Sequence, residues 1–161
     1  MTSTVPLAAA TPDDLLKLEN QVCFALAVAS RSVISLYRPI LEPLGLTHPQ
    51  YLVMLALWQH SPRSVKDLGA ALQLEPATLS PLLKRLDVAG LIRRDRSPLD
   101  ERVLDVTLTG AGRDLRAQAE EIPPRVMSEL RMDVEELTRM RDMLHAVIGA
   151  ATTAPAVTGA A

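Results

Sequence analysis

Apolar residues recur at helical spacing along most of the chain, and proline and glycine separate the helical stretches. The first stretch covers residues 12–37 and follows Thr11, which is suited to cap a helix. Its apolar positions lie three and four residues apart: Leu15, Leu18, Val22, Leu26, Ala29, Val33 and Leu36. Pro39 is expected to break this helix, leaving a short helix over residues 39–44 that Gly45 closes.

The middle of the chain predicts a buried helix followed by two short ones. Thr47 and Gln50 fit a capping box at the start of a helix over residues 51–60, which is apolar nearly all round. Shorter helices are predicted over residues 64–72 and 76–89. About three residues join them, which is the spacing of a helix-turn-helix.

Two alternating segments follow this helix pair. Residues 91–95 and 102–107 alternate as strands, and residues 96–101 form a polar turn between them. A helix-turn-helix followed directly by a charged β-hairpin is typical of a winged helix-turn-helix. The predicted fold class is therefore mainly α with a small β-hairpin wing.

Helical spacing returns after the hairpin. Thr109 is expected to cap a helix that ends near Glu121, and another helix begins near Pro124. The last helix starts at Asp133 and carries an apolar stripe: Val134, Leu137, Met140, Met143, Leu144, Val147 and Ile148. Pairing between two subunits would bury this stripe and that of the first helix. Packing of the two stripes within one chain would also bury them, and the sequence leaves both arrangements open.

Composition excludes several classes of protein. The 161 residues include 48% apolar and 2% aromatic residues, with one Cys and three His, so a disulfide framework and a Cys-rich zinc site are excluded. No cofactor or metal site is predicted. No apolar run reaches the length of a membrane span, and the start of the chain lacks a basic segment typical of a signal peptide. We therefore expect a cytoplasmic protein with no membrane partner.

Local charge indicates a double-stranded DNA partner, although the net charge is −2. From Lys84 to Arg102 there are six basic and four acidic residues, whereas residues 120–142 carry seven acids and four bases. Basic residues on the second short helix and the hairpin are placed to meet phosphates. A hairpin edge that is merely solvated is the alternative.

The predicted DNA-binding residues lie on the helix over residues 76–89 and on the wing. We expect Thr78 and Ser80 to reach base edges, and Lys84 and Arg85 to meet phosphate or guanine. The wing residues are Arg93, Arg94, Arg96, Asp100 and Arg102, where Asp100 is expected to orient Arg102 through a charge-assisted bond. The buried side of the helix is predicted to be Leu79, Leu82, Leu83 and Leu86. Pro81 should bend or loosen its first turn.

These assignments divide the chain. One domain is predicted over residues 12–149, between tails at 1–11 and 150–161 that are small, polar and expected to be disordered. Within the domain, the predicted DNA-binding region is residues 47–109, and the predicted dimerisation helices are residues 12–46 and 110–149.

Sequence motifs resemble one known family. Asp100-Glu101-Arg102, followed after five residues by Leu108-Thr109, resembles the D-x-R-x5-L-T wing signature of MarR-family transcriptional regulators. The block N-Q-x-C-F-A-L around Cys23 resembles the organic hydroperoxide sensors of that family. The segments around Tyr37, around the T-x-P-Q-Y stretch and around Thr78 also resemble those sensors. The resemblance covers roughly residues 13–148.

The resemblance implies a homodimeric repressor that leaves a palindromic operator when Cys23 is oxidised by an organic hydroperoxide, in an oxidative stress response. It also implies that Tyr37 of the other subunit hydrogen-bonds Cys23. Two further tyrosines that are frequent in these sensors are replaced by Ala27 and His48. His48 is either a hydrogen-bond donor or positive charge for the thiolate, or a helix-start residue with no role.

Cys23 is the only sulfur nucleophile of the thiol type. In the predicted helix it lies mid-helix, so no helix N-terminus would favour its thiolate, and Glu19 one turn earlier would disfavour it. With no second Cys, oxidation leads to a mixed disulfide with a low-molecular-weight thiol, a sulfenamide or over-oxidation. The alternative without a redox role is that Cys23 is a small core residue.

Two other functions stay open. One is a MarR repressor gated by a phenolic or aromatic ligand, and the other is a thiol peroxidase, which the missing resolving Cys disfavours.

Overall fold

A computed structural model describes residues 11–98 and 100–153. The chain divides into two compact units, one ending at Glu120 and one beginning at Glu121, whereas the sequence predicted one domain. The tails predicted to be disordered lie outside the described residues, except for Thr11 and residues 150–153.

The N-terminal segment is not the single helix that the sequence predicted. Helix α1 covers Pro12–Leu15, a 3-10 turn covers Leu18–Asn20, and α2 covers Val22–Leu41. Thr11 caps α1, as expected. The apolar spacing continues across the interruption, which is why periodicity alone predicted one helix there.

The end of α2 also differs from the prediction. Pro39 lies inside α2, which continues to Leu41. Proline has no N–H, so the carbonyl of Ser35 loses its helical partner at this position, but α2 ends only two residues later. The short helix predicted over residues 39–44 is reduced to a 3-10 turn at Glu42–Leu44. Gly45 closes this turn at φ +68°, in the left-handed region that favours glycine.

Helix α3, His48–Gln59, is the centre of the core of the first unit. The Gln50 side-chain oxygen accepts hydrogen bonds from the backbone N–H and the hydroxyl of Thr47 at 2.8 and 2.9 Å. The predicted capping box is therefore present. Most of the large side chains of α3 are buried, but Leu52 and Leu55 are partly exposed. The expected all-round burial is wrong for that side of the helix.

The predicted helix pair and wing are present. Helix α4 covers Val65–Leu72, α5 covers Pro76–Val88, and the wing strands β2 and β3 cover Ile92–Arg96 and Leu104–Leu108. A short strand β1, Arg63–Ser64, was not predicted. It pairs antiparallel with β3 to give the sheet order β1-β3-β2.

Helix α6, Gly110–Ala119, begins against the wing. The Thr109 side chain accepts from the Gly112 N–H at 3.0 Å, so the predicted cap is confirmed. A Cβ at Gly112 would lie 2.0 Å from the carbonyl oxygen of Leu91, which means that only glycine permits this close approach.

The second unit contains two helices, α7 at Ile122–Leu130 and α8 at Val134–Thr153. Asp133 and Glu136 exchange side-chain to backbone bonds of 2.8 and 2.9 Å at the start of α8. Because α8 continues to Thr153, the prediction that residues 150–153 are disordered is wrong.

One helical stretch, Val22–Leu44, is long and apolar enough to cross a membrane by length and composition alone. The sequence pattern predicted no span there, because Arg31 and Arg38 interrupt the apolar run. Core helices of water-soluble proteins pass the same test. The finding is therefore weak evidence for a membrane span.

Candidate nucleic-acid interface and thiol site

Helix α5 has one buried and one exposed side. The predicted buried residues are all buried: Leu79, Leu82, Leu83 and Leu86. The predicted DNA-contacting residues are all exposed: Thr78, Ser80, Lys84 and Arg85. The helix runs through Pro81 without ending. The leucines therefore hold α5 against the core while its hydroxyl and cationic side chains are free to meet a ligand.

The arginines of the wing are in different environments. Arg93 is exposed, with its Nε 3.6 Å from an oxygen of Asp95. Arg94 is only partly exposed, and its Nε donates to Asp87 Oδ2 of α5 at 3.0 Å. Arg96 is at the end of β2, and its Nη1 donates to the carbonyl oxygen of Glu101 at 2.6 Å. Two of the three strand arginines thus hold the wing together.

The wing turn is organised by Asp100. Its Oδ1 accepts from the backbone N–H of Arg102 at 2.9 Å, and its carbonyl oxygen accepts from the N–H of Val103 at 2.9 Å. Asp100 therefore orients Arg102 through the backbone of the turn. Among the described residues, no hydrogen bond or ion pair engages the Arg102 guanidinium, which leaves it available at the tip.

Cys23 is exposed and is the second residue of α2. The prediction that it lies mid-helix is wrong, because the helix begins at Val22 and not at Pro12. No side chain caps the start of α2. Cys23 therefore lies in the first helical turn, where backbone N–H groups lack helical partners.

Asn20 and Gln21 direct their side-chain amides back to the preceding turn. Asn20 Nδ2 donates to the carbonyl oxygen of Asp14 at 2.7 Å. Gln21 Nε2 donates to the carbonyl oxygens of Leu15 and Lys17. These bonds satisfy carbonyls at the end of α1 and separate it from α2. This role was not predicted from the sequence. The N-Q pair in front of Cys23 was the one signal that could have indicated it.

Tyr37, His48, Tyr51 and Trp58 form an aromatic cluster between α2 and α3. The ring centroids of Tyr37 and His48 are 5.1 Å apart in an edge contact. The Tyr37–Tyr51 and Tyr51–Trp58 distances are 6.0 and 6.4 Å. Trp58 Nε1 donates to the carbonyl oxygen of Gly112 at 2.8 Å. The cluster therefore joins the end of α2 to the core.

Burial changes the protonation of this cluster. It raises the pKa of Tyr37 and Tyr51 above the ordinary tyrosine value, and the neighbouring Tyr37 raises that of Tyr51 further. Burial lowers the pKa of His48 because desolvation disfavours the imidazolium ion. Of the two active roles open to His48, a neutral hydrogen-bonding group is favoured over a positive charge.

One chain does not bring Cys23 and the cluster together. Cys23 and Tyr37 lie fourteen residues apart on α2. At 1.5 Å per residue this is about 21 Å, far beyond hydrogen-bond reach. A cavity of about 520 Å³ opens beside His48, with Ile34 and Arg38 among its lining residues. In residues 11–98 and 100–153, no group of side chains is arranged to hold a metal ion.

Comparison with known proteins identifies the family. Residues 46–104 match the model of the MarR family. The organic hydroperoxide resistance transcriptional regulator of Bacillus subtilis (strain 168) is 40% identical over 135 residues, which cover 84% of this chain and 92% of the regulator. The chain belongs to the MarR family.

Solved structures agree with MarR membership. Reduced AbfR bound to DNA is 31% identical with a TM-score of 0.71, and the match covers 88% of this chain and 99% of that chain. AbfR is a Staphylococcus epidermidis protein. Its disulfide-formed structure is 32% identical with a TM-score of 0.60, covering 87% and 93% of the two chains. The predicted family and winged helix-turn-helix are confirmed. The curated relatives are transcriptional regulators, which is the class of protein that the sequence predicted.

Proposed function

We propose that this chain is a cytoplasmic, redox-sensing repressor that releases a palindromic operator when an organic hydroperoxide oxidises Cys23. The observation that carries the proposal is the position of Cys23, exposed at the uncapped start of α2 within the N-Q-x-C-F-A-L block. The similarity to the B. subtilis regulator supports the same signal.

A homodimer completes the proposed sensor. The distance along α2 separates Cys23 from Tyr37 of its own chain, so a second copy must supply the phenol. The exposed apolar side chains of α2 and α8 are a suitable surface for that copy, as the dimerisation helices in the sequence prediction require. In this arrangement Tyr37 and a neutral His48 of one subunit face Cys23 of the other, and each can donate one hydrogen bond to sulfur.

The chemistry at Cys23 is a two-electron oxidation. The thiolate sulfur attacks the terminal peroxide oxygen, the O–O bond breaks, and the alkoxide leaves and takes a proton to become an alcohol. Sulfur is oxidised to the sulfenic acid and the peroxide is reduced. A low-molecular-weight thiol then condenses with the sulfenic acid, forming an S–S bond and releasing water. We propose this mixed disulfide as the releasing species, because the chain has no second Cys.

DNA recognition is proposed for the exposed side of α5 and the wing. Thr78 and Ser80 read base edges, while Lys84, Arg85, Arg93, Arg96 and Arg102 meet the DNA backbone or minor groove. The DNA-bound AbfR structure supports a duplex partner. The thiol attached to Cys23 adds bulk at the contact between subunits, and this bulk changes the spacing of the two α5 helices. That spacing must match about one DNA turn, roughly 34 Å, for both helices to bind.

The test uses a duplex that the wild-type protein enriches from a random-sequence pool. Cumene hydroperoxide plus free cysteine should release this duplex, and mass spectrometry should find one cysteine attached to Cys23. Cumyl alcohol, the reduced product, is the matched control and should release nothing.

Cys23→Ser should bind the duplex as the wild type does and keep it in the presence of peroxide, because a hydroxyl cannot be oxidised in this way. Release of Cys23→Ser by peroxide would contradict the sensor. Release of either protein by a small phenol alone would instead indicate a ligand-gated repressor with Cys23 incidental.

A further inference from the structure

The ion pair between Asp87 and Arg94 joins the reading helix to the wing. Arg94 Nε lies 3.0 Å from Asp87 Oδ2, and the two side chains are 27% and 35% exposed. We infer that this pair positions the wing relative to α5, so that both can contact one DNA duplex, and that Arg94 is a positioning residue and not a DNA contact. The inference rests on the proposed DNA-binding function.

Strand geometry directs Arg94 towards α5. Successive side chains of a strand point to opposite faces of the sheet. Ile92 is buried and Arg94 is partly buried on one face of β2, whereas Arg93 and Asp95 are exposed on the other. Strand β2 packs on α5. Arg94 therefore extends over the reading helix, and its neighbours on the strand face solvent.

The position of Asp87 explains why it needs this partner. It lies in the last turn of α5, where the unpaired carbonyl groups carry partial negative charge. A carboxylate is disfavoured there by itself, and a guanidinium is favoured. Pairing with Arg94 removes the conflict and ties the end of α5 to the middle of β2. The leucines of α5 hold it to the core, so the pair transfers that fixed position to the wing.

The contrary hypothesis is that Arg94 neutralises a DNA phosphate, as predicted from the sequence. Asp87 would then only offset part of the positive charge of Arg94. The two hypotheses predict opposite signs for Asp87→Asn. If charge alone matters, removing a carboxylate near DNA strengthens binding to every duplex. If the pair positions the wing, the same substitution weakens binding to the selected duplex, because the wing loses its fixed angle.

The experiment compares Asp87→Asn with Asp95→Asn, which removes the same charge from the exposed face of β2, the strand that carries Arg94. Binding is measured on the enriched duplex and on a scrambled duplex of equal length, at several salt concentrations. We expect Asp87→Asn to bind the enriched duplex about tenfold more weakly, the size of coupling usual for a contacting pair. Binding to the scrambled duplex should be unchanged or tighter. Asp95→Asn should weaken neither.

Two further variants separate positioning from contact. Arg94→Gln should weaken binding to the enriched duplex without changing the salt slope, whereas loss of a phosphate contact reduces the slope by about 0.9. The exchanged pair Asp87→Arg with Arg94→Asp should recover most of the affinity that either single substitution loses. Equal or tighter binding of Asp87→Asn to the enriched duplex, or a reduced salt slope for Arg94→Gln, would overturn the inference.

Amide hydrogen exchange of the DNA-free protein gives an independent readout. Asp87→Asn should accelerate exchange in β2 and β3 but not in α3, and Asp95→Asn should leave both at the wild-type rate. Unchanged exchange in the wing of Asp87→Asn would also overturn the inference. A wild-type protein that enriches no duplex would contradict the proposed function, while the exchange data would still show whether the pair holds the wing.

Discussion

The winged module, residues 48–108, differs from the two long helices α2 and α8 in how far its apolar side chains are buried. In the module, Met54, Leu68, Leu83 and Val106 have no exposed surface. In α2 only Ile40 and Leu41 are buried, and within Val134–Thr153, all of which the structure describes, no residue of α8 is buried. The module completes its core within one chain. The long helices carry exposed apolar surface, and this is the surface that the proposed second copy would cover.

The largest expected effect tests the self-sufficient core. Leu83→Ala should lower the free energy of unfolding by about 2–5 kcal/mol, because it leaves a cavity beneath α5. Val88→Ala is the matched control in the same helix. Val88 is 82% exposed, so its loss should change stability by less than about 0.5 kcal/mol. Urea denaturation at one protein concentration measures both. Equal effects would show that the module does not have the core described.

The exposed surface of the module should serve DNA and not dimerisation. Arg102→Ala should weaken binding to the enriched duplex by about 1–3 kcal/mol, the usual cost of losing a good contact, and leave the dimer intact. Arg139→Ala removes the same charge from the exposed surface of α8 and should not change DNA affinity. Fluorescence anisotropy at physiological salt measures binding. An unchanged affinity for Arg102→Ala would remove the wing tip from the interface.

The exposed surface of α8 should show the opposite behaviour. Leu144→Asp places a charge in the apolar stripe, and should raise the dimer dissociation constant by tenfold or more, about 1.4 kcal/mol. Ala146→Asp adds the same charge on the opposite side of the helix, outside the stripe, and should leave dimerisation unchanged. Sedimentation velocity over a concentration series measures both. If the two variants dissociate alike, the stripe is not the contact surface.

The smallest effect concerns His48, where α2 meets the module. Burial lowers the pKa of His48. As the pH falls, this imidazole therefore takes up a proton near pH 6.5 in the unfolded chain, but only at a lower pH in the folded chain. The unfolded state then binds more protons, and stability falls as the pH decreases through that range. His48→Gln should reduce this loss between pH 7.5 and 5.5. Urea unfolding at the two pH values is the check, and an unaltered pH dependence would contradict the burial of His48.

Features governed by neighbouring residues could be predicted from the sequence. The capping box of Thr47 and Gln50, the cap at Thr109 and the alternation of the wing strands were all predicted, and each depends on residues a few positions apart. The break before α2 was missed although it is equally local. Asn20 and Gln21 are compatible with a continuous helix, and only their bonds to the α1 carbonyls show that the chain turns there. That error moved Cys23 from a helix start to a helix middle.

The sequence by itself determined the family, the winged fold and the single thiol, because motif, periodicity and composition are properties of the chain alone. Tertiary structure decided which distant residues meet. Strand β1 exists because Arg63 reaches Val106, and Tyr37 contacts His48 because the end of α2 packs against α3. Arg94 was predicted to contact DNA, yet its Nε is engaged by Asp87. Such pairings depend on how packed elements approach each other in space, and no local pattern of residues encodes that approach.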